Sequence, residues 1–380
     1  MLRPLTALLA LLPPCIAQAT PTAAGSDALQ RAVQELRRVV DDDDVLGMVV
    51  MVARGDEVLV HEAFGHRDVA KKLPMQKDTL FRLASNTKAV TAAAVLTLVE
   101  QGKVGLDDPI ARWFPTFAHD DAAKITVRQL LTHSSGLRID TLFLRPLLTK
   151  SEAHPDAPSL VLECARFGEV GPAVAPGTTY SYSNPGYNLL AALVEVVSGK
   201  PFADYCRERF YEPLGMTQTC HHESLADNDR MAVVVAKQDA GWRVAWHPHG
   251  KPTVPFVRGS GGMIATTADF ARFARLFVDA GRAGDRQLLA ADSVRAATRD
   301  QIPHIDGHHY GFGWAIAADG SFAHSGSDGT FAWCDPSRRL VGLVFTQTQD
   351  SKPLGVARQR FRQDVGAAVP TSPQPGERQR

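Results

Sequence analysis

The chain has 380 residues, 44% hydrophobic and 22% charged, with a formal net charge of zero and a pI near 7.2. That is ordinary globular composition, with enough apolar content for a substantial core in one large domain or two interleaved ones. So balanced a charge excludes nucleic acid and an anionic membrane surface as expected partners.

Residues 1–19 have the layout of a secretory leader. Arg3 supplies a minimal basic start, Leu5 to Leu12 an apolar run too short to span a bilayer, and Ala17-Gln18-Ala19 a small-residue cleavage site. The expectation is an exported protein, periplasmic or secreted, whose mature chain starts near Thr20 and has no stable membrane insertion. Cys15 follows Pro13-Pro14, a poor context for lipid attachment. Export makes disulfides possible for Cys164, Cys206, Cys220 and Cys334. Cys206 and Cys220 are the pair to test, although a chain of this length needs no staples and buried free thiols are preferred.

Residues 20–26 read as a flexible lead-in, and from Asp27 a helix carries Leu29, Val33, Leu36 and Val39 on one face. Two apolar runs joined by Arg54-Gly55-Asp56 predict a β-hairpin, with Asp41 to Asp44 before it as a solvated turn. The stretch FRLASNTKAVTAAAVLTLVEQG predicts a buried helix from Lys88 to Gln101, closed by Gly102. From about residue 105 to 238 the pattern is helical with long loops, proline-rich between Arg145 and Pro176, with one clear helix ending at Gly199. A helix within GGMIATTADFARFARLFVDAG follows, then strand-like runs YGFGWAIAA, SFAHSG, TFAWCDP and RLVGLVFTQ. A last helix runs from about Leu354 to Val365, and 369–380 read as a disordered tail. The N-terminal hairpin has no neighbour to pair with, so it is expected to join the late strands. The fold class is then α+β, an α/β sandwich spanning 27–368: an antiparallel sheet flanked by helices, with a helical subdomain inserted and a cleft at the junction.

Three short motifs can meet in such a cleft. Ser85 and Lys88 lie one helical turn apart, so hydroxyl and amine share a face, and the unpaired N–H groups of the helix start favour an oxyanion nearby. Tyr182 is a candidate general base, as phenolate, if the Lys88 charge lowers its pKa. Asn184 can hold Lys88 or a substrate carbonyl. In His324-Ser325-Gly326, the glycine permits close backbone approach, and the N–H of Ser327 can share an oxyanion with that of Ser85. Cys220-His221-His222-Glu223 and His304, His308 and His309 contain metal-ligand types without a zinc spacing, so no metal is expected. There is no G-x-S-x-G elbow.

The ordered set S-x-x-K, Y-x-N and H-S-G resembles the penicillin-recognising serine hydrolases: class C β-lactamases, D-Ala-D-Ala carboxypeptidases, D-aminopeptidases and β-lactamase-like esterases. The surrounding text DTLFRLASNTKAVTA, ITVRQLLTHSSGL, YSNPGYNLLA and GGMIATTADFARFARL is similar too, over roughly Leu46 to Thr348. The resemblance implies Ser85 as acylated nucleophile, Lys88 and Tyr182 as the proton-transfer pair, and Asn184, His324, Ser325 and Gly326 as substrate-binding residues. It implies no cofactor and a small-molecule substrate; it leaves the oligomeric state open. His324 stands where class C β-lactamases carry a lysine, which weakens attraction for a substrate carboxylate and makes it fade as the imidazole deprotonates. Asp328 adds negative charge if it faces the cleft. Cleavage of D-amino-acid peptide amides or esters is therefore expected. The alternatives are a carboxylesterase, a weak class C-like β-lactamase, or a non-catalytic binder of cell-wall fragments.

Overall fold

The computed structural model describes residues 23–239, 241–349 and 351–371. The leader expected at 1–19 lies outside them. A long helix, α1 (Ala23–Asp41), leads into the hairpin strands β1 (Gly47–Arg54) and β2 (Glu57–Asp68). The buried helix is α2 (Thr87–Glu100), and the helix that follows the Tyr182 loop is α3 (Asn184–Ser198). After α4 (Thr267–Val278) come β3 (Phe322–Ser325), β4 (Phe331–Asp335) and β5 (Leu340–Thr346), then the closing helix α5 (Lys352–Ala368).

The expected long-range pairing is present. β1 runs antiparallel to β5 from Met48 opposite Thr346 to Arg54 opposite Leu340, so the first and last thirds of the chain share one sheet. That sheet has seven strands in the order Ala315–Ile316, β3, β4, β5, β1, β2, Leu73–Pro74. All eight residues of β1 are buried, and the period of two explains why. Val49, Met51 and Ala53 face the large core with α2 and α4, whereas Met48, Val50 and Val52 face α1 and α5 on the other side. β5 repeats the pattern, with Val341, Leu343 and Phe345 on the first face and Leu340 and Val344 on the second. An antiparallel sheet between helical layers is the expected fold class.

Several boundaries differ from the sequence reading. Residues 23–26 are helical, not a flexible lead-in, because the amphipathic α1 begins before Asp27. Val369, expected in the disordered tail, is buried among the residues of α1 and α5, and its carbonyl accepts from Arg338 Nε at 2.9 Å; residues 372–380 lie outside the described residues. The stretch expected to be helical up to 238 ends in a strand, Val234–Gln238, which pairs with Gly241–Trp246 and, in parallel, with Thr348–Gln349. The run YGFGWAIAA supplies only Ala315–Ile316 to the sheet, because Trp314 turns into the core against Phe277 and Phe322. Cys164, Cys206, Cys220 and Cys334 are free thiols.

Candidate active site

Ser85 occupies a single 3-10 turn, Ala84–Asn86, between the short strand Phe81–Arg82 and α2. α2 is apolar all round and buried through Leu98, so the position of Ser85 is fixed by core packing. Ala84 is held at φ +45°, in the left-handed region that costs a non-glycine residue about 1 kcal/mol. The strain therefore sits at the residue before Ser85. A bolt of hydrogen bonds holds the turn: Asn86 Nδ2 donates to Thr330 Oγ1 at 2.9 Å, and Thr330 Oγ1 donates to the Leu83 carbonyl at 2.9 Å. The turn after β3 is thus fastened beside Ser85.

Gly326 lies in that turn because nothing larger fits. A Cβ there would come within 2.4 Å of the Leu83 carbonyl oxygen and 2.3 Å of Thr330 Oγ1. This close approach brings Ser327 alongside the Ser85 turn. Among the described residues the backbone N–H groups of Ser85 and Ser327 donate to no internal acceptor, which leaves both for an oxyanion. Ser325, at the end of β3, is exposed.

Lys88 is fully buried on the first turn of α2. Its Nζ lies 3.0 Å from Ser85 Oγ, 2.7 Å from Asn184 Oδ1 and 2.9 Å from the Ser260 carbonyl oxygen. Burial, and then the nearby Arg258 charge, hold its pKa well below the ordinary 10.5. In the neutral amine the bookkeeping of protons is forced. The Asn184 and Ser260 oxygens only accept, so they take the two N–H groups, and the lone pair is left for the Ser85 hydroxyl proton. The acceptors are themselves anchored. Asn184 opens α3, whose cap Ser183 accepts from the Gly186 N–H at 3.1 Å. Ser260 donates its N–H to Asn188 Oδ1 at 3.0 Å, next to Gly259, whose carbonyl accepts from Thr91 at 2.7 Å. Arg258 closes on buried Glu223 at 2.8 Å.

Tyr182 stands over Lys88, with Nζ 4.6 Å from the ring centroid. It is 43% exposed, and the His133 ring packs against it with centroids 4.3 Å apart. Burial drives the pKa up, and the neighbouring Ser85 hydroxyl pulls it back only in part. The expected phenolate base is therefore corrected: burial raises the Tyr182 pKa rather than the Lys88 charge lowering it, which favours the protonated phenol.

His324 is 8% exposed on β3. Its Nδ1 lies 2.9 Å from the Ser325 carbonyl oxygen and its Nε2 3.0 Å from the Tyr310 hydroxyl. A carbonyl cannot donate, so Nδ1 carries the proton and Nε2 accepts from Tyr310. Burial lowers the His324 pKa to about 3. The expected fading of carboxylate attraction as His324 deprotonates is thereby corrected, since the ring is neutral throughout the range between about pH 5 and 8. Asp328 is corrected likewise. It does not charge the cleft but is buried, 3.3 Å from Arg82 Nε, and accepts from Gln349 at 2.9 Å.

The histidine-rich segments take separate partners: His222 reaches Ser224 and the Val254 carbonyl, His304 the Gly177 carbonyl, and His309 the Asp300 carboxylate. Among the described residues no three histidine, cysteine or acidic side chains gather into a metal-binding group. The sequence reading missed Ser260, Arg258, Tyr310 and His133. The glycine-rich run Arg258 to Gly262 was a usable signal for the first two, and His133 lay unremarked inside ITVRQLLTHSSGL.

A family model described as Beta-lactamase matches residues 29–367. Protein Rv1367c of Mycobacterium tuberculosis is 30% identical over 355 residues, covering 82% of this chain and 88% of its own length. Esterase EstB of Burkholderia gladioli is 35% identical over 231 residues, 56% of this chain and 57% of that esterase. Among solved structures, a D-amino acid amidase from Ochrobactrum anthropi SV3, complexed with L-phenylalanine amide, matches with a TM-score of 0.71 at 22% identity, over 90% of this chain and 99% of its own. At that identity the likeness is one of fold.

Proposed function

The chain belongs to the Beta-lactamase family, and from that premise we propose that it is a serine hydrolase that cleaves esters, or amides of D-amino acids, through an acyl-enzyme on Ser85. The observation that carries this reading is the set of three contacts around the Lys88 amine, which leaves one lone pair and directs it at Ser85 Oγ. Lys88 takes the Ser85 proton as the oxygen attacks the carbonyl carbon, and the oxyanion develops against the N–H groups of Ser85 and Ser327. Tyr182 gives its proton to the departing group. The resulting phenolate, beside the Lys88 ammonium, takes a proton from the water that attacks the acyl carbon, and Lys88 returns its proton to Ser85. Protons balance over the cycle without a cofactor.

The substrate class follows from the charges that are spent internally. Arg82 and Arg258 are paired with Asp328 and Glu223, His324 is neutral, and Lys88 is buried. No cation among these is left for a carboxylate beside the scissile bond, which favours neutral acyl donors over peptides with a free C-terminus. The likeness to an esterase supports an ester substrate. The leader-like layout of residues 1–19 supports export, and N-terminal sequencing of the secreted protein should read from near Thr20. The function is tested with p-nitrophenyl butyrate, D-alanine amide and nitrocefin. Turnover of the ester or the amide should exceed that of nitrocefin, mass spectrometry should find the acyl group on the Ser85 peptide, and Ser85→Ala should abolish turnover. Hydrolysis that survives in Ser85→Ala would contradict the reading.

A further inference from the structure

We propose that His133 is the positioning residue that sets the Tyr182 phenol against Ser85, by clamping the backbone on both sides of Tyr182 and packing its ring. His133 follows the short helix Val127–Leu131 and is 1% exposed. Its carbonyl oxygen accepts the Ser181 N–H at 2.7 Å, and its Nδ1 accepts the Ser183 N–H at 3.0 Å. One residue thus holds the neighbours before and after Tyr182. The imidazole also lies against the Tyr182 ring, centroids 4.3 Å apart at 35°. Between two fixed peptide groups and a packed face, little freedom remains to the phenol.

Three further features set His133 apart from a filler of the core. It adopts φ +58°, a left-handed conformation that turns the chain so that carbonyl and ring reach the same loop. Because Nδ1 accepts, the ring proton is on Nε2, and Nε2 is buried with no partner among the described residues. A leucine would avoid that unpaired donor, so its cost is borne for the acceptor on the other side of the ring. An imidazolium would set N–H against N–H at Ser183, and burial opposes that form.

The inference rests on the acyl-enzyme reading, and the test separates the two. His133→Gly takes the left-handed backbone freely but removes ring and acceptor, and His133→Leu fills the space but strains the backbone, so either one that folds serves. His133→Asn places an amide oxygen where Nδ1 stands and tolerates positive φ. With ethyl butyrate as the probe, followed by pH-stat, the expected result is a kcat lowered about 30-fold or more in the Gly or Leu variant, with KM changed less than about 2-fold, since a phenol misplaced by 1 Å costs on the order of a hundredfold. His133→Asn should recover most of the loss. In a Tyr182→Phe background the same His133 substitution should cost less than about 3-fold, because the hydroxyl it positions is gone. Equal losses in both backgrounds, or no recovery by His133→Asn, would overturn the positioning role. Turnover retained by Ser85→Ala in the same assay would instead overturn the acyl-enzyme reading beneath it.

Discussion

On the wall built by the Ala84–Asn86 turn and α2, the Lys88 amine faces three oxygen atoms, one more than a neutral amine can donate to; on the facing wall built by β3, both nitrogens of His324 already have partners that satisfy them. The first wall is left with a reactive lone pair, the second with an inert ring. Both side chains are basic and buried, and burial lowers the pKa of both. The difference lies in the neighbours. Where a surplus acceptor carries an exchangeable proton, as Ser85 does, desolvation makes a base. Where the partners are a carbonyl and a phenol that match the two nitrogens, desolvation makes a neutral strut.

Substitutions on the first wall should break the contrast most. Lys88→Ala leaves Ser85 without a proton acceptor, and the acylation rate should fall by on the order of a thousandfold or more, read as the burst of p-nitrophenolate in stopped flow. Tyr182→Phe should cost on the order of a hundredfold with ethyl butyrate and distinctly less with p-nitrophenyl butyrate, whose leaving group departs without a proton. An equal loss on both esters would remove Tyr182 from leaving-group protonation. The second wall should respond least. With His324 held at a pKa of about 3, the ratio of kcat/KM for a carboxylate-bearing ester to that for its neutral analogue should stay flat from about pH 5 to 8; a ratio that falls with rising pH would mean the imidazole is charged at the acid end. His324→Gln, which keeps an acceptor near Tyr310, should alter kcat by less than about 5-fold.

How far the sequence disclosed this arrangement depended on the range of the contacts. Period-two alternation and buried helical runs placed β1, β2, α2 and α4, and the unpartnered hairpin pointed to the late strands without saying that β5 is the one beside β1. Ser85 and Lys88 stand at a fixed helical spacing, so their contact was legible before any coordinates. Ionisation was not legible. Whether Lys88 is an ammonium and Tyr182 a phenolate depends on how deeply each is buried and on where Arg258 sits, 170 residues from Lys88. Asp328 could not be recognised as neutralised because its partner Arg82 belongs to a different strand. The helical ends at Ala23 and Ala368 were missed because they lie beyond the periodic apolar signals of α1 and α5.

The central claim is that Lys88 is a neutral base for Ser85 at physiological pH, and the pH dependence of Ser85 phosphonylation tests it most directly. The second-order rate of labelling by a fluorophosphonate should rise along a single acid limb, level off well below the 10.5 of an ordinary lysine, and disappear in Ser85→Ala. A rate that keeps climbing through about pH 10, as an unperturbed ammonium would require, would contradict the account.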